Sequence, residues 1–90
     1  MRELAVARKQ VQDEEGQVHT YDYVILVGET PVFSGVSCES YGVCIRGQDG
    51  ETEQITDITV SAARIDELID LLVRNAVTPC TLRDVVDGWL

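Results

Sequence analysis

The stretch Thr59-Val60-Ser61-Ala62-Ala63-Arg64-Ile65-Asp66-Glu67-Leu68-Ile69-Asp70-Leu71-Leu72-Val73-Arg74-Asn75 is where the chain changes its period. Up to Val60 apolar residues alternate, as in a strand, with Ile58 and Val60 on one face. After Ser61 they fall at Ile65, Leu68, Ile69, Leu72 and Val73, the i, i+3, i+4, i+7, i+8 spacing that puts one apolar stripe on a helix. This predicts a helix over residues 62–75. Ser61 suits the N-cap, where its hydroxyl can accept from an orphan backbone N–H. Asp66, Glu67, Asp70 and Arg74 take the wet side. Asp66 and Asp70 repel mildly at i, i+4, and Asp70 attracts Arg74 at the same spacing. Asn75 is a suitable end.

Downstream, Thr78-Pro79 opens a second helix, since proline loses nothing at a position whose N–H is an orphan anyway. Thr81 with Asp84 offers a later, capping-box-like start. Leu82, Val85, Val86, Trp89 and Leu90 repeat the helical stripe, and Gly88 weakens the last turn. So short a helix depends on packing.

Upstream, the signals are those of strands. Leu4-Ala5-Val6-Ala7 and Val11 predict a first strand over residues 3–11. Asp13-Glu14-Glu15-Gly16 follows as a turn, with Gly16 able to take a positive φ at a bulged hairpin end. Gln17 to Gly28, rich in Tyr, Thr, Val and Ile, predicts the strongest strand. Glu29-Thr30-Pro31 should end it, because proline cannot donate to a ladder. Residues 32–40 stay ambiguous, with Val32-Phe33 weakened by Ser34-Gly35 and Ser37. Tyr41 to Arg46 predicts a third strand. Asp49-Gly50 fits a type I′ turn, whose two central residues both need a positive φ. Glu51 to Val60 returns as a fourth, where the out-of-phase Ile55 indicates a bulge or an end effect.

The expected architecture is α+β. One domain spans residues 1–90, an antiparallel meander of about four strands over 1–60 followed by two amphipathic helices over 61–90 packed on one sheet face. Val24-Ile25-Leu26-Val27 poses a difficulty, for it is apolar on both faces while one helical layer covers a single face. Either a second chain covers Val24 and Leu26, making the protein a homodimer, or one greasy strand sits at the centre of a monomer. With Trp89 and Leu90 on the last helix, these residues form the candidate interface. The competing reading of Trp89 is plain core.

Ninety residues with 44% apolar and 26% charged side chains make one small globular domain. The net charge is −9; residues 1–47 hold seven acids against four bases, and residues 48–90 nine against three. Such a surface repels phosphate backbones and anionic lipid and would attract a basic protein partner, though charge also serves solubility alone. No uncharged apolar run approaches the roughly 20 residues that span a bilayer. Arg8-Lys9 interrupts Leu4 to Ala7 too early for a signal peptide, so the expected compartment is the cytoplasm, consistent with three cysteines, an odd number.

No pattern of reaction chemistry stands out. His19, Cys38, Cys44 and Cys80 are the only soft ligands, and they lack the close pairs of a zinc site. Cys80, near a helix start, could feel its dipole, but nothing brings His19 to a thiol. Gly35-Val36-Ser37-Cys38-Glu39 departs from a nucleophile elbow at Glu39. The seven glycines form no phosphate loop, and Lys9 is the single lysine. Asp49, Glu51 and Glu53 lack the twelve-residue calcium-loop pattern. Tyr21, Tyr23 and Tyr41 fit cross-strand packing better than a base-stacking platform, since flanking basic residues are missing.

Val77-Thr78-Pro79-Cys80-Thr81-Leu82-Arg83-Asp84-Val85-Val86-Asp87, after an Ile/Leu-rich helix and the earlier Tyr41-Gly42-Val43, resembles a family of small bacterial proteins catalogued as a domain of unknown function, found mostly in Gram-positive anaerobes. The resemblance implies a compact cytoplasmic bacterial protein and carries no catalytic residue with it. The expected function is a non-enzymatic protein-interaction or regulatory module without a cofactor, acting on a protein partner and not on nucleic acid or membrane. The alternative is a small-ligand or metal-binding protein using its cysteines and histidine.

Overall fold

In a computed structural model covering residues 1–90, four strands form one antiparallel sheet in the order β1 (Arg2–Gln12), β2 (Val18–Phe33), β3 (Val36–Gly47) and β4 (Thr52–Thr59). Helix α1 (Ala62–Arg74), a 3-10 turn (Pro79–Thr81) and helix α2 (Leu82–Trp89) follow. The predicted α+β meander with two closing helices is therefore the fold.

Two of the hairpin turns share one construction. Gly16 N–H bonds Asp13 O and Asp13 N–H bonds Gln17 O; Gly50 N–H bonds Gly47 O and Gly47 N–H bonds Glu51 O. Gly16 and Gly50 both have positive φ. Asp49 does not, so the expected type I′ turn at Asp49-Gly50 is corrected to a longer turn closed by a left-handed glycine. The turn with two consecutive positive φ values, as type I′ requires, is Ser34-Gly35, at 38° and 78°.

A larger correction concerns Pro31. The second strand does not stop there but runs to Phe33. β1 pairs with β2 only as far as Arg2↔Val27. Beyond Val27 the second strand has one neighbour, and at such an edge a proline costs no ladder bond.

The core lies between the sheet and the helices. Tyr21, Tyr23, Ile25 and Val27 of β2 and Val43 and Ile45 of β3 meet Ile65, Leu68, Ile69 and Leu72 of α1, then Val77, Leu82 and Val86. Helix α1 begins as expected, with Ser61 Oγ accepting from Arg64 N–H at 3.2 Å. Its other end is tied to the sheet: Lys9 Nζ donates to Val73 O at 2.8 Å, and the buried Tyr23 hydroxyl donates to Val77 O at 2.9 Å. Ile55 and Ile58 both pack against this core across a bulge in β4. Val60 does not share their face: it lies beyond the strand and is exposed.

The opposite face has no helical layer, yet Val24, Leu26 and Cys44 are 4%, 2% and 0% exposed. The sheet's own side chains cover them. Glu3 stands beside Leu26, and Arg46 beside Asp22. The two-pronged Arg46–Glu3 bridge, at 2.9 and 2.5 Å, therefore crosses β2 over Val24. Arg8 adds a second fork to Asp22, at 2.7 and 3.2 Å. The apolar strand that raised the question of a second chain is thus buried within one chain, beneath long charged stems.

Candidate functional site

β1 ends opposite Val27 and β4 ends opposite Tyr41. Between those limits β2 and β3 continue alone, pairing Gly28↔Ser40, Glu29↔Glu39, Thr30↔Cys38, Pro31↔Ser37 and Phe33↔Val36. Residues 28–40 therefore form a two-stranded arm projecting from the body, and the molecule measures 54 × 23 × 17 Å. A register shift at Val32 makes two residues oppose one, a bulge just before the tip. At the tip Val32, Phe33 and Val36 are 55%, 68% and 52% exposed. A small domain has no folding reason to hold an aromatic side chain there.

The two faces of the arm differ in chemistry. Counting down β3 from Cys44, the residues Gly42, Ser40, Cys38 and Val36 share the helix-free face, and across the ladder they meet Leu26, Gly28, Thr30 and Phe33. This strip carries no charge. Glu29 and Glu39 lie on the other face, where Arg2 pairs with Glu39.

At the arm's base the uncharged face sinks into a hollow of about 250 Å³ lined by Met1, Leu26, Gly28, Glu29, Ser40, Gly42, Thr56 and Asp57. The β4 bulge forms its rim. Asp57 takes a left-handed φ of 53°, and its Oδ1 accepts from Ser40 Oγ at 2.5 Å and Thr30 Oγ1 at 3.3 Å. The floor depends on Gly42: a Cβ there would stand 2.2 Å from Ile55 O and 2.8 Å from Thr56 Cα.

The residues singled out in the sequence are scattered. Val24 and Leu26 are buried beneath the ion pairs, though Leu26 reaches the wall of the hollow. Trp89 is half-buried against the core with the Arg64 guanidinium 4.3 Å above its ring, and Leu90 is exposed. Cys38 is half-buried on the arm, Cys44 is buried beside Val24 and Leu26, and Cys80 is exposed in the 3-10 turn, 3.3 Å from Thr78 Oγ1. Burial pushes the Cys44 thiol above its ordinary pKa, which leaves it the less reactive protonated form. His19 Nε2 lies 2.8 Å from Asp13 Oδ2, and the ring stacks on Tyr21 with centroids 6.3 Å apart. No three His, Cys, Asp or Glu side chains converge as metal ligands, and no helix is long and apolar enough to cross a membrane.

The arm itself escaped the sequence reading, because Pro31 and Ser34-Gly35 argued against a regular strand. The available signal was a two-residue Ser-Gly turn flanked by Val32-Phe33 and Val36.

The match of a family model to residues 2–90 decides the chain's kinship. It belongs to DUF6514, a family of unknown function. The DUF6514 match takes in the body, the arm and both helices. No curated protein and no solved structure matches the chain.

Proposed function

We propose that this DUF6514 protein is a non-enzymatic interaction module of the bacterial cytoplasm, and that the arm over residues 28–40 is its docking element. The observation that carries the reading is the tip, where Val32, Phe33 and Val36 stand in water on a ribbon that contributes almost nothing to the core. An aromatic anchor of this kind is what partner surfaces bury at their centres. The two faces divide the work of recognition. The uncharged face offers apolar contact and the hollow, and the other face offers the Glu29 and Glu39 carboxylates. A chain of net charge −9 steers cationic partners toward itself and away from nucleic acid. The three free thiols fit a reducing compartment.

The test is affinity capture from the native cell with the full chain as bait, beside a Phe33→Asp variant whose fold is verified by circular dichroism. The reading expects at least one protein, this chain included, held by the wild type and lost by the variant. Identical capture by both would refute it.

A further inference from the structure

We infer that the occupant of the arm's uncharged face is a second copy of this chain, the two arms lying antiparallel with the tip of each seated in the hollow of the other. This rests on the reading of the arm as a docking element and names what docks.

Knob and hole are present on the same surface. Phe33 and Val36 end the strip, and the hollow of about 250 Å³ opens at its base beside Gly28, with room for one aromatic side chain and no Cβ in the way. At about 3.3 Å per residue the two features stand roughly 15 Å apart. A two-fold axis through the Thr30–Cys38 pair exchanges them, which is the self-complementary arrangement that a closed dimer demands. Charge favours this occupant over a basic one. The chain carries −9, so two copies repel wherever carboxylates meet. The strip is where they do not: Gly28, Thr30, Phe33, Val36, Cys38 and Ser40 are all neutral, and Glu39, in register on the other face, is held by Arg2. Two acidic residues border the hollow: Asp57, engaged by Ser40 and Thr30, and Glu29 at the arm's base. A basic peptide would find no acid along the strip from Thr30 and Cys38 to the tip.

Area sets the strength. Two ribbons about 10 Å wide overlapping for about 15 Å bury far less than the roughly 800 Å² per partner of a standard interface. The dimer is therefore weak, with a dissociation constant on the order of 100 μM.

Sedimentation velocity of the full chain across concentrations from about 10 μM to about 1 mM tests it. The expected result is a shift from one mass to twice that mass, with the dissociation constant raised at least tenfold in Phe33→Asp and in Gly28→Val. The valine fills the hollow from a position where a Cβ meets nothing nearer than Ser40 Oγ at 3.6 Å, so the fold survives. In a Cys80→Ser background, a short bis-maleimide should join two chains through Cys38, which the axis brings together. A wild type that stays monomeric throughout, or a dimer that both variants leave intact, overturns the proposal. If the monomeric wild type still captures a different protein that Phe33→Asp loses, the arm remains a docking element and its face belongs to that partner.

Discussion

Gly42 is the residue on which the geometry at the base of the arm depends. The β4 backbone crosses so near its Cα that a methyl group would overlap Ile55 O. The contact is backbone to backbone, so no flexible side chain can yield. Gly42→Ala should destabilise the fold by about 2 kcal/mol or more, as forced overpacking does, read as a lower urea midpoint with an unchanged slope. His19 and Asp13 offer a second residue-scale test. The hydrogen bond and charge of Asp13 hold the imidazole above its ordinary 6.5, and the same bond to His19, with the Gln17 and Glu15 N–H groups, holds the Asp13 carboxyl below its ordinary 3.8. The histidine contribution is complete below 6.5 and is lost as pH rises through the raised value. The aspartate contribution is complete above 3.8 and is lost as pH falls through the lowered value. The melting temperature of the wild type should exceed that of His19→Gln most near about pH 5, with the gap closing toward about pH 9. A gap that widens with pH would contradict the pairing.

At the scale of elements, α2 shows how a short helix is held. Leu82 and Val86 are buried, and Trp89 closes the last turn between the core and Arg64. Its ring is half-covered and its stacked cation comes from α1, so Trp89 serves as a clamp between the two helices. Trp89→Ala should cost about 2 kcal/mol, less than the 3–5 kcal/mol of a fully buried aromatic, measured by urea unfolding. No loss of stability would return Trp89 to the role of an interface residue. The β1–β2 and β3–β4 turns owe their shape to local chemistry, a left-handed glycine after a tight turn. β2 and β3 instead owe their length to what their neighbours do: both outlast β1 and β4, and the arm is the remainder.

For the whole molecule, that remainder has a measurable shape. A compact chain of this length has a radius of gyration of about 12 Å; this one has 14.1 Å over its Cα atoms. None of its buried residues lies between Gly28 and Glu39. Replacing the arm from Glu29 to Glu39 with a two-residue turn should therefore leave the melting temperature within a few degrees of wild type and bring the scattering radius down toward the compact value. Collapse of the body would mean that the arm takes part in folding.

The order of elements, the single sheet, the two helices and the face they cover were legible in the sequence. Each rests on a local periodicity: two along Tyr21, Tyr23, Ile25 and Val27, and 3.6 along Ile65, Leu68, Ile69 and Leu72. The caps at Ser61 and Asn75 and the bulge near Ile55 are local too. What only the tertiary structure decided concerns neighbours. Whether Pro31 ends a strand depends on whether another strand needs its N–H, which the length of β1 determines. Val24 and Leu26 are buried because Arg46 reaches Glu3 across β2, joining side chains 43 positions apart. The hollow exists because the β4 bulge passes over Gly42. Periodicity reports which face a residue takes, and it carries no information about where the adjacent strand stops or which long side chain lies down over the next.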